Sequence, residues 1–271
     1  MALQTKGLWV EDLDGNSARV IQHIKDTGAT ILSVRTTSSQ LAGLIPTFKQ
    51  MNVKVFGWRW PHVYPNPKEA NDSSVWTDEI RRLLYQLIPA GLDGYIFDIE
   101  SDEGRLAQDW DNPDYKTLIP LMAQSITQIV KAAFDRRATP YVLGLTGHQC
   151  AFSYFPGIPF QYFLNVSSVL YPQTYWRARD NNNVCQPGAA PKNDPKHPTG
   201  RPEQAVENGY SDYLPKKLPI VPIAGEISCV SVGEIDRFGA AIAAHNATEA
   251  HFYVDADSFV DAGVLAAIKA L

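Results

Sequence analysis

The chain has 271 residues, 45% of them hydrophobic, and 24 Lys and Arg against 29 Asp and Glu give it a formal charge of −5. That length suits one barrel domain of about 250 residues, and the weak negative charge, with no Lys/Arg run, excludes the electrostatic footprint of a nucleic-acid binder. No apolar stretch reaches the roughly 18 residues of a membrane span, no signal-peptide segment precedes the first apolar run, and no motif calls for a cofactor or a metal.

Apolar runs rich in β-branched and aromatic residues alternate with helix-period segments along the whole chain. Strands are expected over 7–11, 30–35, 53–58, 94–99, 141–145, 168–171, 220–224 and 250–254. Several are nearly continuous apolar runs, as parallel strands covered on both faces should be. Ser17 opens a helix in which Val20, Ile21 and Ile24 share a face, and Gly28 closes it. A second helix starts at Ser39, and others are expected over 74–87, 115–134, 231–245 and 258–271. The rhythm breaks between 176 and 217, where three consecutive asparagines, frequent prolines and few apolar residues predict a long loop inserted after the sixth strand. Repeated βα units of this kind predict an α/β fold, a (β/α)₈ TIM barrel forming a single domain over 1–271. A doubly wound open sheet would show the same alternation, but no glycine-rich fingerprint follows a strand. Cys150, Cys185 and Cys229 are far apart, so at most one intramolecular disulfide can form, and three reduced thiols are the expectation.

In a barrel, the carboxyl ends of the strands build the active site. The fourth strand ends in Asp98-Ile99-Glu100, and strand alternation points both acids the same way. Paired carboxylates at that rim suit acid catalysis on a glycosidic bond. Other strand ends supply partners: Glu11 with Asp12, Arg35, the run Trp58-Arg59-Trp60 with His62, the run Gln173-Thr174-Tyr175-Trp176, Glu226, and Asp255 with Asp257. Each has a plainer reading. Arg35 can be a structural ion-pair partner, one of Trp58 and Trp60 core packing, His62 an ordinary loop histidine, and Asp257 a helix cap. Taken together, acids, amides and aromatic faces describe a pocket for sugar rings and hydroxyls.

The stretch Asp93-Gly94-x-x-x-Asp98-x-Glu100 resembles the fourth-strand signature of family 18 chitinases, Asp-Gly-x-Asp-x-Asp-x-Glu, and Gln173-x-Tyr175 is similar to that family's sixth-strand polar pair. The resemblance implies that Glu100 is the general acid, that Asp98 orients a substrate acetamido group which itself attacks the anomeric carbon, and that Tyr175 touches that group. It departs at Ile96, where the family has an inward Asp. An Asp-x-Glu on the fourth strand with an acid on the first, here Glu11 or Asp12, also resembles family 25 lysozymes, whose Gly-x-Asp-x-Ser start is not matched. Acids on strands four and seven, Glu100 and Glu226, resemble the large group of retaining barrels, without their Asn-Glu pair.

The expectation is a glycoside hydrolase-like protein acting on a polysaccharide, of the N-acetylated chitin or peptidoglycan type, by carboxylate acid/base catalysis with Glu100, Asp98 and Glu226. Glu11, Arg35, Trp58, Trp60, His62, Gln173, Tyr175, Trp176 and Asp255 are the expected substrate contacts. The alternative is a barrel that binds glycans without turnover, motivated by Ile96. A third reading is metal-dependent hydrolysis through Asp98, Glu100 and His62.

Overall fold

The structure is a computed structural model that describes residues 2–63, 76–101, 109–179, 184–187, 200–254 and 259–271. Its strands are β1 (Thr5–Val10), β2 (Ile31–Arg35), β3 (Lys54–Arg59), β4 (Gly94–Asp98), β5 (Val142–His148), β6 (Val169–Thr174), β7 (Arg177–Arg179), β8 (Cys185–Pro187), β9 (Ile223–Ala224) and β10 (Glu249–Tyr253). Eight of them close a barrel in the order β1-β10-β9-β6-β5-β4-β3-β2, every neighbouring pair parallel. Each of the eight expected strand positions holds a barrel strand. β9 is the shortest, and Pro222 immediately precedes it, where a proline has no N–H to give the ladder. Val221 nevertheless donates to the Leu170 carbonyl at 2.8 Å, which carries the pairing below β9.

Helices cover the outside. Ser17–Thr27 is stopped by Gly28 in the left-handed region at φ 69°. Leu41–Gln50, Trp76–Arg82 and Leu118–Asp135 follow, the second continuing through a π-turn at Leu83–Leu87. Val232–Ala244 starts at a complete Ser231/Glu234 capping box, which satisfies two end donors at once. The final helix, Ala262–Ala270, starts later than expected and is capped by Asp261, whose side chain accepts from Gly263 N and Val264 N. Among the described residues no helix is long and apolar enough to cross a membrane.

Two core layers result from strand alternation. Outward-facing residues such as Leu8, Val34, Val55, Phe97 and Phe252 pack under the helices. Inward-facing Trp9, Ile31, Phe56, Trp58, Ile96, Val169, Tyr171 and Ile223 fill the barrel. Trp9 crosses the interior to donate from Nε1 to His251 Nδ1 at 2.8 Å. An indole N–H only donates, so Nδ1 is the accepting nitrogen and Nε2 carries the proton given to Glu249 Oε1 at 2.9 Å. The barrel is therefore a packed core, and any site must lie above it, at its mouth.

Two expectations are corrected here. The segment 176–217 is not one loop: after the β7/β8 hairpin it contains the helix Pro202–Tyr213. Ala205, Val206, Gly209, Tyr210 and Tyr213 belong to its buried face, and Gly209 lets it lie close on β6, where a Cβ would stand 2.8 Å from Thr174 Cγ2. The small residues on that face hid its periodicity. The thiols are not all reduced either, because Cys185 and Cys229 form a disulfide. It ties the β7/β8 hairpin to the turn that follows β9. Cys150 is buried and outside that bridge.

Candidate active site

The residues at the mouth follow from register. Asp98 pairs with Thr146, and two residues further on Glu100 stands level with His148, which itself pairs with Gln173. Glu100, His148 and Gln173 thus occupy one level on three adjacent strands. The Gln173 amide Nε2 has two hydrogens and gives one to Asp98 Oδ1 at 3.1 Å and the other to Glu100 Oε1 at 2.5 Å. One side chain of β6 therefore fixes both acids of β4 relative to each other.

Asp98 is 5% exposed. Burial pushes its carboxyl well above the ordinary carboxylate range, the adjacent Glu100 charge and hydrogen bond push it further, and the buried guanidinium of Arg59 opposes them. The pair consequently holds a proton at pH values where a solvated aspartate has lost it. Such a pair can give a proton to an acceptor in the mouth and keep a negative charge beside it.

Around the rim, Glu11 Oε2 pairs with Arg35 at 3.0 Å and Glu11 Oε1 accepts the Tyr253 hydroxyl at 2.9 Å. Tyr253 stacks on Tyr175, with ring centroids 5.7 Å apart and planes at 29°. Both phenols are pushed up, first by burial, with Asp98 the leading charge near Tyr175 and Glu11 near Tyr253. The mouth therefore brings together Glu11, Arg35, Asp98, Glu100, Gln173 and Tyr175 of the expected residues.

Glu226 is buried, 3% exposed, in the turn after β9, and its charge reaches both tyrosines of the rim. Its backbone is at φ 23°, ψ 81°, and its carboxylate accepts from Ser228 N at 3.2 Å and from Ser228 Oγ. Trp58 belongs to the barrel interior beneath the acids, its Nε1 donating to the Val10 carbonyl at 3.2 Å. Trp60 is half-buried against the outer core and His62 is buried. Trp176, expected at the rim, is fully buried outside the barrel on Phe238, 5.3 Å between ring centroids. The physical reason is alternation: with Gln173 and Tyr175 inward, Trp176 must face out. Asp255 and Asp257 lie outside the described residues. Among the described residues no group of three His, Cys, Asp or Glu is placed to hold a metal ion.

Sequence reasoning missed Tyr253 and His148, and it named Arg59 only within the run at the end of the third strand, without a role in the site. His148 escaped because the fifth strand was expected to end at 145, whereas it runs to 148. Tyr253 carries a usable signal, since it lies near the end of the expected eighth strand and alternates with apolar Phe252, which faces the outer core.

No protein-family model matches the chain, and no curated protein matches it. Solved structures do. A glycoside hydrolase family 18 chitinase from Pseudoalteromonas aurantia is 12% identical over 99% of this chain and 100% of that one, with a TM-score of 0.55. A class V chitinase from Pseudomonas fluorescens is 10% identical over 97% and 98%, with a TM-score of 0.58. The catalytic domain of a mannanase from a Streptomyces species is 12% identical over 92% and 73%, with a TM-score of 0.53. At such identities the likeness carries the fold, which is the TIM barrel that glycoside hydrolases of several kinds use.

Proposed function

We propose that this barrel is a glycosidase that cuts a polysaccharide bearing N-acetylated sugars, with Glu100 as general acid. The observation that carries the reading is the Gln173 amide bridging Asp98 and Glu100, which holds the two carboxyls together at the carboxyl end of the barrel strands. In the first step Glu100 gives its proton to the glycosidic oxygen as the bond from that oxygen to the anomeric carbon breaks. The acetamido oxygen of the same sugar bonds to that carbon as the leaving group departs, and Asp98 orients the acetamido group. Water then attacks the anomeric carbon and gives a proton to the Glu100 carboxylate as the bond from the acetamido oxygen to that carbon breaks, which regenerates the acetamide and restores the acid. Tyr175 supplies a hydroxyl to the acetamido group.

Release of reducing ends from chitin, peptidoglycan and neutral glycans tests this reading. Glu100→Gln is expected to lower turnover on the order of 10²–10⁴-fold while oligosaccharide binding stays. Full turnover in the variant removes Glu100 from the chemistry.

A second reading, a glycan-binding barrel without turnover, is favoured by Ile96. It is fully buried in the apolar interior directly below Asp98, so no inward carboxylate stands at that position beneath the acid pair. Measurable oligosaccharide binding with no reducing ends released across the panel would select it.

A further inference from the structure

The wall of the mouth between β6 and β10 is built around a missing side chain. Thr174 pairs with Ala224 and Ala224 with Phe252, so one residue further on Tyr175, Gly225 and Tyr253 stand level on three adjacent strands. All three positions face inward. A Cβ at 225 would lie 2.3, 2.4 and 2.6 Å from Cγ, Cδ1 and Cβ of Tyr175. With only hydrogen there, the two tyrosine rings close over β9 and stack on each other.

Backbone conformation does not demand a glycine at this point, because among the described residues the glycines with positive φ are Gly15, Gly28, Gly91 and Gly200. What excludes a side chain is the Tyr175 ring. The contact also sits at the head of a chain of interactions: Tyr175 packs on Tyr253, Tyr253 donates to Glu11, and Glu11 pairs with Arg35. A shift of Tyr175 is therefore passed to half of the rim.

We propose that Gly225 is a positioning residue of this site, acting through Tyr175 to set where its hydroxyl meets the substrate and how wide the mouth opens beside Asp98 and Glu100. The proposal rests on the reading of the mouth as a glycan site. An added methyl group leaves the acids in place and moves the ring, so it separates positioning of Tyr175 from the acid chemistry.

The test is a double-mutant cycle over Gly225→Ala, Tyr175→Phe and both together, reading kcat, KM and affinity for tetra-N-acetylchitotetraose, with the melting temperature of each. Gly225→Ala is expected to lower kcat roughly 10- to 100-fold, the range a misplaced substrate-positioning group produces. In the Tyr175→Phe background the same change should cost clearly less than in the native one, because the hydroxyl it misplaces is gone and only the displacement of the ring remains; contacting residues are non-additive in this way. Equal loss in both backgrounds, or native kcat in Gly225→Ala, overturns the proposal.

If Gly225→Ala does not fold, Gly225→Ala with Tyr175→Gly removes the contacts with the side chain of residue 175, its Cβ included, and should melt where Tyr175→Gly alone melts; failure of that rescue also overturns it. A native protein that neither binds nor cleaves any glycan defeats the glycosidase reading instead, and the Gly225–Tyr175 coupling is then decided by the melting temperatures.

Discussion

A buried carboxyl whose pKa is raised makes a prediction with a definite sign. The unfolded Asp98 carboxyl titrates at about 3.9, and burial lifts the folded one well above that. Below the unfolded value both states bind the proton and the group costs nothing. As pH rises through the window up to the folded value, the unfolded chain releases its proton while the folded protein keeps it, and stability falls. Asp98→Asn removes this loss, since an amide is neutral throughout. It is expected to leave the melting temperature unchanged near pH 3 and to raise it at pH 7, each tenfold difference in proton affinity between folded and unfolded chain being worth about 1.4 kcal/mol. A lowered melting temperature at pH 7 would mean that Asp98 is ionised in the fold and held by the Arg59 guanidinium. The same substitution should remove the proton shared with Glu100 and depress turnover. At this scale, two-residue alternation makes Asp98 with Glu100 and Gln173 with Tyr175 legible in the sequence, because each pair shares a strand face. It reads Trp176 wrongly when a rim residue is picked by its type without asking its face. Glu226 was legible as an acid near a strand end, but its turn back onto Ser228 depends on a backbone conformation that pattern does not report.

Each barrel element was legible for the same reason that it is stable: a strand buried on both faces is an apolar run, and a covering helix is a 3.6-period one. The helix Pro202–Tyr213 was not, because its buried face uses alanine, glycine and tyrosine among polar residues. The disulfide was not either, since cysteine pairing depends on which loops meet. Cys185 and Cys229 are 44 residues apart, and closing a loop of that length in the unfolded chain is worth about 4 kcal/mol. Cys229→Ser, or reduction of the native protein, should lower the unfolding free energy by up to that amount. The turn that carries Glu226 ends at Cys229, and Gly225 against Tyr175 immediately precedes it. Loosening the turn should therefore raise KM or lower kcat while the helical circular dichroism, which reports the intact barrel, stays unchanged. Native kinetics after complete reduction would show that the capping box at Ser231 and the Arg177–Glu234 ion pair hold the turn without the bridge. A bridge of this kind persists in an oxidising environment, so the fully stable form belongs to such surroundings.

The whole molecule bears on a question that its fold leaves open. Barrels like it include chitinases and a mannanase, and one scaffold serving several glycans cannot choose among them. Charge can. The chain is net negative, and at the mouth Arg35 is matched by Glu11. The Asp98–Glu100 pair and Glu226 add further acids, against which stands the buried guanidinium of Arg59, whose charge reaches Asp98. Among the described residues, acids thus outnumber cations around the opening. A polyanionic glycan entering such a mouth meets like charge, and the repulsion is screened over roughly 10 Å at 0.1 M salt. A neutral N-acetylated chain meets none. Turnover of tetra-N-acetylchitotetraose should therefore change less than about twofold between low and high salt, whereas binding of a uronate-containing polysaccharide should be weak at low salt and strengthen as salt is added. Titration of both ligands at two ionic strengths decides it. Tighter uronate binding at low salt would mean that Arg35 leaves Glu11 to take a substrate carboxylate, and the substrate class would then be acidic.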